Sequence, residues 1–99
     1  MNIPTISKPK IVKDYDQLSE SFREKIKLHY PFGFEQKLIS FKNAQGKFVS
    51  ALPYESDDSN YLIRMTPKLA NDLIDEDDDY DDDGNLKDDV LEEYQERYE

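Results

Sequence analysis

Asp79-Tyr80-Asp81-Asp82-Asp83-Gly84-Asn85-Leu86 is the stretch of this chain best suited to chemistry. Carboxylates at alternate positions converge on one cation when the backbone curls around it, and hard oxygen ligands of this kind suit calcium. Asp79, Asp81 and Asp83 would supply them, with Asn85 as a further ligand. Gly84 allows the sharp bend at the sixth position, and Leu86 at the eighth turns inward. The bidentate glutamate that closes such a loop at the twelfth position is missing: Val90 stands there, with Asp88 and Asp89 too early and Glu92 and Glu93 too late. Seven of the nine residues from 75 to 83 are Asp, so alternate spacing arises from composition alone, and only Gly84 and Leu86 add information. A solvated acidic segment is the first reading. A weak calcium loop of the ~0.1–1 mM class is the second.

Other chemistries have fewer parts to work with. The same carboxylates could hold magnesium for phosphoryl transfer, but that chemistry needs rigid strand ends and a phosphate-binding loop. Gly33, Gly46 and Gly84 are too far apart to make such a loop. There is no cysteine, so thiol nucleophiles, disulfides and thiolate metal sites are excluded. His29 is the only histidine, and near the end of a helix it reads as a histidine favoured by the helix dipole. No catalytic residue is assigned, and the chain is not expected to be an enzyme.

The strongest functional signal is the distribution of charge. The 99 residues include 23 acidic and 13 basic ones, a net charge of −10. Residues 1–70 hold 11 basic and 8 acidic residues, net +3, whereas residues 71–99 hold 2 basic and 15 acidic, net −13. Segments of one sign repel themselves, stay extended and often serve as interaction tails. Tyr80, Leu86, Leu91, Tyr94 and Tyr98 interleave these acids, which mere solubility does not require. They are candidate partner-binding residues, able to fold onto a basic or nucleic-acid-associated protein. Direct nucleic-acid binding is disfavoured: the body lysines read as an ordinary mixed surface, and the acidic third would oppose phosphate contacts. No apolar run approaches the roughly 18 residues of a spanning helix, and residues 1–8 lack a secretory apolar core. No membrane association, a cytoplasmic location and a monomer are the expectations. No resident cofactor is expected beyond weak calcium.

These residues need elements to hold them. Residues 1–13 show neither helical nor strand periodicity and read as a flexible basic arm. Asp14 and Gln17 form a capping box, and Tyr15, Leu18, Phe22, Ile26 and Tyr30 fall at helical steps, predicting one helix ended by Pro31 and Gly33. Lys37–Lys42 alternates as a strand, Asn43-Ala44-Gln45-Gly46 suits a hairpin loop, and Lys47–Leu52 returns, ended by Pro53. Tyr61–Met65 is a third strand. Thr66-Pro67 opens a second helix, and residues 88–98 form a possible terminal one. The expected fold is α+β: the N-terminal helix packed on a three-stranded antiparallel meander over residues 14–74, then an acidic tail at 75–99. The natural protein may extend past Glu99, since no cap signal closes the last helix.

Ser40-Phe41-Lys42-Asn43, Val49-Ser50-Ala51-Leu52-Pro53-Tyr54-Glu55, Tyr61-Leu62-Ile63-Arg64-Met65-Thr66 and the run from Asp77 to Val90 together resemble a group of short acidic proteins from the Bacteroidetes. The resemblance covers most of residues 14–99 and implies no activity. The "DNA primase" label that some of these proteins carry finds no support here. The chain has no zinc ligands, no strand-borne metal carboxylates, and too little length for nucleotidyl transfer.

Overall fold

A computed structural model describes residues 8–99. The chain forms β1 (Lys10–Asp14), α1 (Glu20–His29), β2 (Ile39–Lys42), β3 (Phe48–Glu55), β4 (Asn60–Arg64), α2 (Pro67–Asp75) and α3 (Asp88–Tyr98), with short 3-10 turns at Tyr15–Gln17 and Glu35–Lys37. The class is α+β, as expected.

The sheet differs from the expected three-stranded meander. It has four strands in the order β1-β4-β3-β2 and is mixed: β2, β3 and β4 pair antiparallel, while β1 joins β4 in parallel. β1 falls within the expected arm. Its apolar doublet Ile11-Val12 is too short to show a period, and its pairing is wholly non-local, Val12 lying beside Leu62. Residues 1–7 of that arm lie outside the described residues.

Local chemistry accounts for the other boundaries. The Asp14 amide donates to Gln17 Oε1 at 2.9 Å, but this closes only one 3-10 turn. Ser19 then caps α1, accepting from the Phe22 amide at 3.2 Å, so one expected helix becomes a turn and a ten-residue helix. Pro53 does not end its strand. The Met65 amide donates to the Ser50 carbonyl, which places the hydrogen-bonded pairs toward β4 on even-numbered residues of β3. Pro53 therefore turns its nitrogen toward β2, whose pairing has already ended at Ala51, and no ladder bond is lost. Thr66 caps α2 as expected, accepting from the Leu69 amide at 3.1 Å. Lys87 takes the N-cap position of α3, whose first turn carries Asp88 and Asp89, where their charge favours the helix dipole.

α1 lies on one face of the sheet, Phe22 meeting Tyr54 and Tyr61 with ring centroids 5.4 and 4.8 Å apart. α3 packs against α1. Ile26, Phe34, Leu52 and Ile63 are fully buried at the centre. Tyr80, Leu86 and Tyr94, all from the acidic third, belong to this same core. The expected boundary between a folded body at 14–74 and a tail at 75–99 therefore does not appear in the packing.

Candidate functional site

The aspartate run folds as a hairpin, not as a loop curled around an ion. The Asp81 amide donates to the Asn85 carbonyl at 2.8 Å, and the Gly84 amide to the Asp81 carbonyl at 3.0 Å. Asp81 Oδ1 accepts from the amides of Asp83 and Asn85, both at 2.9 Å. Asn43-Ala44-Gln45-Gly46-Lys47, between β2 and β3, makes the same four bonds: Asn43 N to Lys47 O at 2.8 Å, Gly46 N to Asn43 O at 3.0 Å, and Asn43 Oδ1 accepting from Gln45 and Lys47. Gly46 and Gly84 have φ of +80 and +82°, the left-handed conformation that this turn requires. Asp81 and Gly84 are thus hairpin residues. Tyr80 and Leu86 face each other across a bridge on either side.

The proposed metal ligands are not brought together. Asp79 Oδ2 accepts from Lys27 Nζ at 3.0 Å and from the Tyr94 hydroxyl at 2.6 Å, whereas Asp81 is occupied with its own turn. Asp83 is exposed, and Asn85 closes the hairpin through its backbone. Among the described residues no group of three or more His, Cys, Asp or Glu side chains could hold a metal ion.

Asp79 instead anchors the acidic third to α1. Lys27, projecting from α1 with a side chain only 12% exposed, pairs with both Asp77 and Asp79. Burial favours the neutral forms of Lys27 and Asp79, but the contacts outweigh it. Asp77 and Asp79 hold the Lys27 pKa above the ordinary lysine value, and Tyr94 and Lys27 hold Asp79 below the ordinary carboxylate value. The Tyr94 hydroxyl is pushed up by burial and by donating to Asp79. A second tie lies farther along α3, where Arg97 reaches Glu24 at 2.6 Å and the Tyr98 hydroxyl donates to the same carboxylate at 2.5 Å.

Beside this anchor runs an open groove of about 610 Å³, between α1, the end of α2, the aspartate segment and α3. Six carboxylates line it, against the two cations Arg23 and Lys27. Lys27 is spent on Asp77 and Asp79, and Glu24 is held by Arg97. Arg23 stacks on the Tyr15 ring, 4.9 Å from its centroid, and donates to the Tyr15 carbonyl. Glu20, Glu76 and Asp78 form no ion pair with any described residue.

The apolar residues expected to await a partner already have one within the chain. Tyr80 and Leu86 are buried, Tyr80 donating to the Tyr30 carbonyl at 3.0 Å and the Leu86 amide to Pro31 O at 2.6 Å. Tyr94 is buried, and Leu91 and Tyr98 pack half-buried against the core. The groove carboxylates on α1, Glu20 and Glu24, were not among the sequence candidates. Their signal was only the helical spacing that sets them beside Lys27. His29 is exposed at the end of α1, edge-on to Tyr30 and Tyr54.

Among the described residues no helix is long and apolar enough to cross a membrane. Comparison with protein-family models, with curated proteins and with solved structures returns no match.

Proposed function

We propose that the protein is a non-catalytic interaction module of the cytoplasm whose acidic side docks a basic partner protein. The supporting observation is the groove itself: six carboxylates around a concave surface, three of them uncommitted. Packing the apolar residues of the acidic third inward displays its carboxylates on a fixed scaffold, so a partner meets a preformed charge pattern and need not order a tail. Such a surface gains its affinity and its association rate from attraction to Lys and Arg, and both fall with added salt.

Deleting residues 75–99 is a poor test, because it removes Tyr80, Leu86 and Tyr94 from the core. Neutralising the surface is cleaner. In calorimetric titration with an oligolysine peptide, Glu20→Gln/Glu76→Gln/Asp78→Asn is expected to weaken binding about tenfold, at roughly 0.5 kcal/mol per exposed pair. The control Asp89→Asn/Glu92→Gln/Glu96→Gln, on exposed positions of α3, removes the same charge outside the groove and is expected to weaken binding by less than about threefold. Equal losses in the two variants would mean diffuse attraction and no groove site.

A further inference from the structure

The sheet has a second face, and no described helix lies across it. Strand register places Val12 of β1, Leu62 of β4, Ala51 and Pro53 of β3, and Ile39 and Phe41 of β2 together on the side away from α1. Ala51 is fully buried, but none of the six belongs to the cluster around Ile26 and Phe34 or packs against it, and Val12 and Ile39 are 44% and 43% exposed. Every strand thus contributes apolar side chains to a surface that no described element covers.

We propose that this face docks an amphipathic helix of a partner protein whose apolar stripe is flanked by carboxylates. Charge is the first argument. The two acidic side chains on this face are already neutralised, Asp14 by Arg64 at 2.8 Å and Glu55 by Lys8 at 2.8 Å. By register Lys10 on the β1 edge and Lys47 in the hairpin beside the β2 edge fall on this same side, and neither pairs with a described carboxylate. A protein of net charge −10 therefore carries an apolar face bordered on both edges by lysine. Acidic flanks on a docked helix would meet those lysines while its stripe covers Val12, Leu62 and Ile39.

Size is the second argument. Three inter-strand spacings span roughly 14 Å, and five residues of strand roughly 17 Å. One helix of about three turns, 10–12 Å across, fits that area. A second copy of this chain fits it poorly. Pairing the same face with itself would set lysine borders against each other. The chain's own acidic helix α3 has no stripe to offer another copy, because Tyr94, Leu91 and Tyr98 are packed inward.

Two synthetic helical peptides that share one leucine stripe, flanked by Glu in the first and by Lys in the second, test the proposal against the methyl-labelled full chain. The Glu-flanked peptide is expected to shift the Val12, Ile39 and Leu62 methyl resonances and to bind about tenfold tighter than the Lys-flanked one. Val12→Asp/Ile39→Asp, at exposed positions that leave the fold intact by circular dichroism, is expected to abolish those shifts. The proposal is overturned if neither peptide moves these methyls, or if the Lys-flanked peptide moves them equally. It is also overturned if they shift on concentrating the protein alone, which would mean self-association. Shifts seen only with phosphatidylglycerol vesicles would assign the face to a lipid surface and overturn it as well. None of these outcomes bears on the acidic groove, which lies on the other side of the sheet.

Discussion

Tyr94→Ala is expected to lower stability by about 3–4 kcal/mol, within the range for removing a buried aromatic ring. A domain of this size holds roughly 5–15 kcal/mol in all, so the melting temperature should fall by about 12–30 °C. The size of the effect follows from where the ring sits. Tyr94 is 6% exposed, in the same cluster as Ile26 and Phe34, and its hydroxyl donates to Asp79. Tyr94→Phe separates the two contributions: it keeps the ring and loses only the hydrogen bond, at a cost of about 1–2 kcal/mol. Thermal unfolding followed by circular dichroism reads both. An unchanged melting temperature for Tyr94→Ala would mean that α3 is not part of the folded core.

Lys27→Met is the second large effect. It leaves Asp77 and Asp79 facing each other in a half-buried site without their cation, at an expected cost of about 2–4 kcal/mol near neutral pH. The pH dependence follows from the directions of the two shifts. Asp79 has a folded pKa below its unfolded value, so its contribution is present above the unfolded carboxylate range and is lost as pH falls through the folded value. Lys27 has a raised folded pKa, so its contribution is present below the unfolded lysine value and is lost as pH rises through the folded one. The anchor is therefore intact from roughly pH 4 to pH 10. As pH falls below the unfolded carboxylate range and through the folded Asp79 value, the wild type loses this contribution, and the stability gap between Lys27→Met and the wild type should narrow. Chemical denaturation at neutral and acid pH measures that gap. A gap that does not change with pH would remove the ion pairs from the account.

Local rules made much of the fold legible in the sequence. Thr66-Pro67 marked the start of α2, Asn43 to Gly46 marked a hairpin, and alternation placed Ile63 and Met65 on the buried face of β4. What escaped depended on distant partners. β1 is a strand because β4 lies beside it, not because Lys10–Asp14 alternates. The acidic third was harder still. Asp81-Asp82-Asp83-Gly84 has the turn spacing of Asn43-Ala44-Gln45-Gly46, a likeness that the sequence reading did not use. The surrounding aspartates drew attention to ion chemistry instead. Tyr80, Leu86 and Tyr94 read as partner-binding residues because the charge density around them suggested a separate partner. Lys27 and Phe34 supply the burial from within the chain. The groove carboxylates of α1 were invisible until α3 was placed against that helix.

The arrangement assigns the two faces of the molecule opposite characters. A rigid carboxylate surface is held on the core side by tyrosines and one buried lysine, and a lysine-bordered apolar face lies on the far side of the sheet. The carboxylate surface depends on the acidic third being part of the fold. Native-state hydrogen exchange of the wild-type chain tests this most directly. The amides of Leu91–Arg97 in α3 should be protected and should open together with those of β3 and β4, in one cooperative unit. Free exchange along α3 beside a protected sheet would contradict the account.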